Sequence, residues 1–142
     1  MNPWMRWLPR AGTLPFLALA GLLLSGTRTL PVLGDTLHLL QSYTVVIVSF
    51  MAGSHWGLAV ATPSRLRTGL LIGSNVAALA VWGAMAWLPA REMLLVSAAV
   101  LAVLLVGDRA LRHALLIEGR YWRVRVQVTV VVVISLVAAA SA

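Results

Sequence analysis

Five apolar stretches of the sequence are long enough to be membrane-spanning helices. The hydrocarbon core of a bilayer needs about 20 helical residues, or somewhat fewer where polar ends reach the headgroups. The stretches that meet this requirement are residues 11–27, 37–61, 68–90, 92–107 and 124–141. We therefore predict an all-α integral membrane protein, in which residues 1–142 form a single bundle of five transmembrane helices.

The start of the fifth stretch also has a second pattern. Residues 123–130 alternate between polar side chains and valine, a period of two that is typical of a half-buried strand. A single strand cannot cross lipid, because its backbone N–H and C=O groups would have no partners there. The apolar run also continues to Ala140. We therefore predict a helix for this stretch.

Composition supports a membrane protein and limits its partners. Apolar residues make up 61% of the chain and charged residues 11%, and the formal net charge is +7. Such a charge would suggest a nucleic-acid partner in a soluble protein, but here the arginines lie between apolar stretches, where they attract anionic lipid headgroups. We expect the lipid bilayer as a partner and no nucleic acid. The absence of cysteine excludes disulfides and thiolate metal sites.

The arginines predict an orientation for the bundle. Nine of the eleven lie before the first stretch or in alternate loops, and only Arg28 and Arg91 lie in the other loops. The nine are Arg6, Arg10, Arg65, Arg67, Arg109, Arg112, Arg120, Arg123 and Arg125. Arginines near the ends of spans are retained on the cytoplasmic side during insertion. We predict a multi-pass protein of the bacterial inner membrane, with a cytoplasmic N-terminus and a periplasmic C-terminus.

With this orientation, each predicted helix contributes a polar group to the cytoplasmic half of the bundle. At a rise of 1.5 Å per residue, His55 lies about 9 Å and Asn75 about 6 Å from the midplane. Polar side chains at such depths are costly unless they face the bundle interior or a partner. The candidates for an internal network or a ligand site are therefore His55, Trp56, Asn75, Asp108, Arg125 and Gln127.

A simpler interpretation of these polar residues is that they lie at the membrane interface, where polar groups and tryptophan are common. We favour it for Asp108, Trp122 and Arg125, and Asp108 can pair with Arg112 one helical turn later. For His55 and Asn75 both interpretations remain open. Neither interpretation alone implies catalysis.

Small residues in the second and third stretches suggest positions of close helix packing. Helices in lipid associate largely through backbone approach at glycine, alanine and serine. We select Gly53, Gly57 and Gly73 as candidate packing positions.

Several kinds of chemistry lack their usual residues. The three histidines, at positions 38, 55 and 113, lie at different depths, so they do not converge on a metal or clamp a haem. Ser54 and His55 are adjacent in sequence and point about 100° apart on a helix, a poor nucleophile–base arrangement. We expect no metal, no cofactor and no catalytic residues, although an intramembrane enzyme that uses His55 with Asp108 stays open as an alternative.

Residues 49–57, Ser-Phe-Met-Ala-Gly-Ser-His-Trp-Gly, carry a family resemblance. They resemble the Ser-Phe-Leu-Gly-Gly-x-His-Trp-Gly signature of the domain-of-unknown-function 3429 family, small bacterial membrane proteins similar to mitochondrial transmembrane protein 69. Residues 12–16 and 122–129 resemble two further family motifs, and Asp108 stands where an aspartate closes the fourth helix. Residues 51–52 depart from the signature, and 73–75 stand where the family often has a proline. The resemblance implies five helices in an inner membrane and no established activity.

We favour a small non-catalytic accessory, scaffold or assembly factor, which would bind another inner-membrane protein or a second copy of itself. Its small size and its few ionisable groups support this hypothesis. The alternative is a binding or transport module with a pocket in the cytoplasmic leaflet for a lipid-like or quinone-like ligand. An aromatic wall with a few convergent polar groups would suit such a ligand.

Overall fold

The computed structural model of the protein describes residues 2–142 and is almost entirely helical. The helices are α1 (Pro3–Ala11), α2 (Leu14–Leu24), α3 (Thr36–Ala61), α4 (Arg67–Trp87), α5 (Ala90–His113) and α6 (Gly119–Ser141). Two-residue strands β1 (Thr29–Leu30) and β2 (Gly34–Asp35) pair antiparallel in the α2–α3 loop. Together α1 and α2 make one candidate span, so five segments are long and apolar enough to cross a membrane. The helical content and the five candidate spans confirm the predicted all-α bundle of a multi-pass membrane protein.

Several helices extend beyond their predicted apolar stretches. The first candidate span begins at Pro3 instead of residue 11, α5 continues to His113, and α6 begins at Gly119. Hydropathy marks only the most apolar part of a helix, whereas backbone hydrogen bonds continue through polar residues at its ends. Arg6 and Arg10 therefore lie on α1, within the first candidate span, and do not precede it as predicted.

The alternating segment at residues 123–130 is helical, as predicted, and lies within α6. Its buried positions include Val124, Val128, Val132 and Leu136, which follow the spacing of one helix face. This face packs mainly against α5, and also against α1 and α2. Valine does not prevent helix formation here, because a strand at this position would leave its backbone unpaired in lipid.

The core lies around α5, which packs against α3, α4 and α6. Its fully buried side chains include Met93, Leu94 and Leu101, in contact with a cluster that extends to Phe16 of α2 and Val48 of α3. Large apolar side chains also cover the outer surface, as the composition requires of a bundle that faces lipid. Examples are Phe50, Ile72, Trp82, Val103 and Ile134.

A hydrogen bond fastens the break between α1 and α2 to α3. The helix is interrupted at Gly12 and Thr13, which frees the Gly12 carbonyl, and the Tyr43 hydroxyl donates to it at 2.7 Å. The Tyr43 ring also packs on Phe16, with 4.8 Å between ring centroids. This contact fixes the position of α1 beside α3 and α6, where the candidate site lies.

Candidate functional site

Three ionisable side chains from three helices meet inside the bundle. Asp108 of α5 accepts a hydrogen bond at Oδ1 from His55 Nε2 of α3, at 2.8 Å. Its other oxygen, Oδ2, accepts from Arg125 of α6, at 2.8 Å from Nε and 2.6 Å from Nη2. We call these residues the triad. They are 4%, 1% and 6% exposed for His55, Asp108 and Arg125, respectively.

The bonding pattern fixes which nitrogen of His55 carries hydrogen. A carboxylate beside an arginine accepts hydrogen bonds and has none to donate. The proton in the His55–Asp108 bond is therefore on Nε2. The other ring nitrogen, Nδ1, has no hydrogen-bond partner within residues 2–142. It is free to exchange a hydrogen bond with a molecule that enters the site.

A glycine on α5 allows the histidine to reach its partner. A Cβ atom at Gly107 would lie 2.9 Å from Cε1 of the His55 ring and 3.4 Å from its Nδ1. The imidazole is buried, so a side chain at position 107 would push the ring away from Asp108 at an energetic cost. Gly107 is thus a site residue that sequence reasoning missed, although its position directly before Asp108 is a signal that could have revealed it.

Asp108 and Arg125 are buried inside the bundle, and the suggested pairing of Asp108 with Arg112 is wrong. Asp108 pairs with Arg125 across two helices and not with Arg112 on its own helix. The guanidinium of Arg112 instead lies beside Gly119 at the start of α6. Local spacing suggested the pair one turn apart, whereas tertiary packing brings a cation 17 residues away to the carboxylate.

The other three network candidates lie outside the triad. Asn75 is exposed, and its Nδ2 donates to the Leu71 carbonyl of its own helix at 2.8 Å. Trp56 is 48% exposed on the outer face of α3. Gln127 accepts a hydrogen bond from Arg10 Nη2 at 3.0 Å. The structure therefore brings together His55, Asp108 and Arg125, and these other candidates belong to other surfaces.

The three glycines selected for helix packing do not join helices within this chain. A Cβ atom at Gly53, Gly57 or Gly73 would meet nothing within 4 Å among the described residues. All three lie on exposed surface. Within the bundle, the close approach that requires glycine is made at Gly107 instead.

Three cavities adjoin the triad. The first, of about 330 Å³, contains His55 and Asp108 together with Ser54, Glu118 and Tyr121. We call the second the α1–α3–α6 cavity. It has a volume of about 500 Å³, and its residues are Asn2, Trp4, Met5, Leu8, Pro9, Gly12, Phe16, Ile47, Phe50, Met51, Ser54, Tyr121, Arg125, Val128 and Val132. The third, of about 700 Å³, lies along α4 and α5 and reaches His55 beside Gly107.

The α1–α3–α6 cavity combines an apolar wall with a small polar end. Phe50 and Met51 belong to the wall, and Ser54, Tyr121 and Arg125 supply the polar groups. Ser54 Oγ donates to the Met51 carbonyl at 2.6 Å, so it is not oriented toward His55 as a nucleophile. Within residues 2–142 no group of three histidine, cysteine or acidic residues could hold a metal ion. The arrangement is suited to binding a polar head beside an apolar tail.

Comparison with known proteins identifies a family without an assigned activity. The model of the family described as protein of unknown function (DUF3429) matches residues 1–141. No curated protein and no solved structure matches the chain. The similarity to mitochondrial transmembrane protein 69 therefore stays a prediction.

Proposed function

We propose that this chain, which belongs to the DUF3429 family of proteins of unknown function, is a membrane-embedded binding module for an amphipathic, lipid-like or quinone-like ligand. The observation that carries the proposal is the α1–α3–α6 cavity, of about 500 Å³, which combines exposed apolar side chains with the buried Arg125 of the triad. Its volume lies within the range of about 300–1,000 Å³ of small-molecule sites.

The charge of the triad indicates the kind of head group that fits. Asp108 lies within 2.8 Å of both Nε and Nη2 of Arg125, so the positive charge is already balanced. An anionic head would compete with Asp108 for the guanidinium, whereas a neutral carbonyl or hydroxyl group can add hydrogen bonds without displacing it. Tyr121 lines two of the three cavities, one helical turn before Arg125 on α6, and carries a hydroxyl group that can donate a hydrogen bond to such a head. A ligand with a neutral, oxygen-bearing head and an apolar tail is therefore favoured.

We further propose that the triad lies in the cytoplasmic leaflet of a bacterial inner membrane. In the five-span arrangement, α3 and α5 end on the side of the membrane where α6 begins. The same side carries Arg65 in the α3–α4 loop, Arg67 at the start of α4, and the arginines at the adjoining ends of α5 and α6, which supports a cytoplasmic position. Single cysteines at Ser64 and Ala114 should resist an impermeant thiol reagent added outside intact cells, whereas a cysteine at Ala142 should react. Labelling of Ser64 would contradict this orientation.

A ligand that binds only the folded state raises the stability of the protein. The test is thermal unfolding in detergent with a short-chain quinone at 100 times its dissociation constant, which should add about 2.7 kcal/mol. Tyr121→Phe removes only the hydroxyl and should bind at least about tenfold more weakly. Gly57→Leu, on the outer face of α3, is the matched control and should respond like wild type. The proposal would be contradicted if wild type and Tyr121→Phe were stabilised equally, both by the quinone and by phospholipids.

A second candidate is the accessory or assembly role. Gly53 and Gly57 lie one helical turn apart on exposed surface of α3, with open space above both. In lipid, such a pair lets a second helix approach closely. If this role is the correct one, Gly57→Leu should abolish capture of a partner protein from native membranes, while Tyr121→Phe should leave it intact. Loss of capture in Tyr121→Phe together with intact capture in Gly57→Leu would favour ligand binding.

A further inference from the structure

A fourth cavity, which is strongly charged, lies between α1 and α6, apart from the triad. Its volume is about 430 Å³, and four arginines line it: Arg6, Arg10, Arg120 and Arg123. The remaining lining residues are Asn2, Pro3, Val124 and Gln127, so no carboxylate contributes to the wall. Among residues 2–142, the only arginine with a carboxylate oxygen within 4.0 Å is Arg125. Four positive charges therefore share one cavity without a counter-ion from the protein.

The hydrogen bonding of Arg10 leaves its charge without a counter-ion. Arg10 belongs to α1, within the candidate span Pro3–Leu24, and Gln127 belongs to α6. The two side chains are joined by a hydrogen bond of 3.0 Å, and Gln127 offers a neutral acceptor and no charge. A charged side chain within the bilayer requires a charged partner or water. The structure supplies space for an anion directly beside this arginine.

Local contacts hold the guanidinium groups in place. Arg6 and Arg10 each lie 5.6 Å from the centre of the Trp7 ring, a distance typical of cation–π contacts. Arg120 lies in the first turn of α6, and the α6 N-cap, Glu118, makes no side-chain capping hydrogen bond. The partial positive charge of a helix N-terminus therefore adds to that of the arginines. An anion in the cavity would offset both the charge of the arginines and the partial charge of the helix N-terminus.

We propose that this cavity binds the phosphate of an anionic phospholipid. Arginine pairs with phosphate oxygens through parallel N–H donors, and basic pockets between helices on the cytoplasmic side suit phospholipid headgroups. Trp7 of α1, which lies beside Arg6 and Arg10, is exposed and provides apolar contact for acyl chains. A lipid supplies both the phosphate and the chains, whereas free phosphate supplies only the charge. The site does not include the triad and does not depend on the proposed ligand cavity.

The test is native mass spectrometry of the full chain in detergent, titrated with dioleoyl-phosphatidylglycerol or with dioleoyl-phosphatidylcholine. Wild type should retain the anionic lipid at concentrations at least about tenfold lower than the zwitterionic lipid. Arg120→Gln combined with Arg123→Gln should weaken retention of the anionic lipid about 25-fold, from about fivefold per arginine. Arg65→Gln combined with Arg67→Gln removes the same charge from the α3–α4 loop and should leave retention unchanged.

A third variant and a competitor make the test decisive. Arg6→Gln changes α1 alone and should weaken retention about fivefold, which provides the same test if the double variant does not fold. Inorganic phosphate at the same concentrations should not displace the lipid. Equal retention of the two lipids, or equal losses in the two double variants, would overturn the proposal. Displacement by inorganic phosphate would also overturn it and would assign the cavity to a free anion.

Discussion

Removal of the charge of Asp108 should destabilise the bundle more than the loss of a single hydrogen bond would. Asp108→Asn keeps the size of the side chain but leaves the guanidinium of Arg125, 6% exposed, without a counter-ion. Removing one partner of a buried ion pair costs about 3–5 kcal/mol, because the other charge stays buried and uncompensated. The amide also presents an NH₂ group toward either His55 or Arg125, both of which donate to Asp108 in the wild type.

The cost should largely disappear when both charges are removed. Asp108→Asn combined with Arg125→Met removes both charges and keeps an amide oxygen as the acceptor for the Nε2–H of His55, so the uncompensated buried guanidinium that carries the cost is gone. The double variant should therefore be at least about 2 kcal/mol more stable than Asp108→Asn. Glu118→Gln is the matched control, since it removes an exposed carboxylate from the α5–α6 loop, and its effect should stay within about 0.5 kcal/mol.

The assay is thermal unfolding in detergent, followed by the loss of helical circular dichroism. For a chain of this size, a loss of 3–5 kcal/mol corresponds to a fall of about 10 °C in the unfolding midpoint. The reasoning would be refuted if Asp108→Asn unfolded within about 2 °C of Glu118→Gln. It would also be refuted if the double variant were less stable than Asp108→Asn, because the cost would then not come from the unpaired arginine.

Three smaller predictions use the same assay. Gly107→Ala should lower stability by about 1–3 kcal/mol, because its Cβ would lie 2.9 Å from the His55 ring. A neutral result would mean that the histidine can move. Gly57→Ala should raise stability by up to about 1 kcal/mol, since alanine is the better helix former and open space surrounds this position. A loss of stability would show that the glycine is needed within the monomer. Tyr43→Phe should lower stability by about 1 kcal/mol, because it removes the hydrogen bond to the Gly12 carbonyl. Unchanged stability would mean that this hydrogen bond does not stabilise the α1–α2 break.

The sequence predicts the five helices well because lipid imposes a simple requirement on each of them. A span must be apolar over about 20 residues and must satisfy its own backbone hydrogen bonds. These conditions also resolve residues 123–130, where alternation alone favours a strand but α6 is observed. The predicted first stretch begins only at residue 11 because Arg6 and Arg10 interrupt the hydropathy of α1, which is helical from Pro3.

The triad could be predicted only in part, because hydropathy gives the depth of a residue and not the direction of its side chain. Depth placed His55, Asn75, Asp108 and Arg125 in one half of the bundle. Asn75 is exposed, while His55, Asp108 and Arg125 turn inward and meet. Which face of each helix is internal depends on the packing of all the helices together. That information is distributed over the whole chain and is not contained in a local motif.

The central proposal about function concerns the α1–α3–α6 cavity. We propose that a ligand with a neutral head and an apolar tail occupies this cavity beside Arg125. The most direct measurement is native mass spectrometry of the protein extracted gently from its own membrane. In addition to a phospholipid at the four-arginine cavity, we expect one small molecule with a neutral head per chain in wild type, and much less of that molecule in Tyr121→Phe. A wild-type protein that carries no such molecule, or equal amounts in both proteins, would contradict the account.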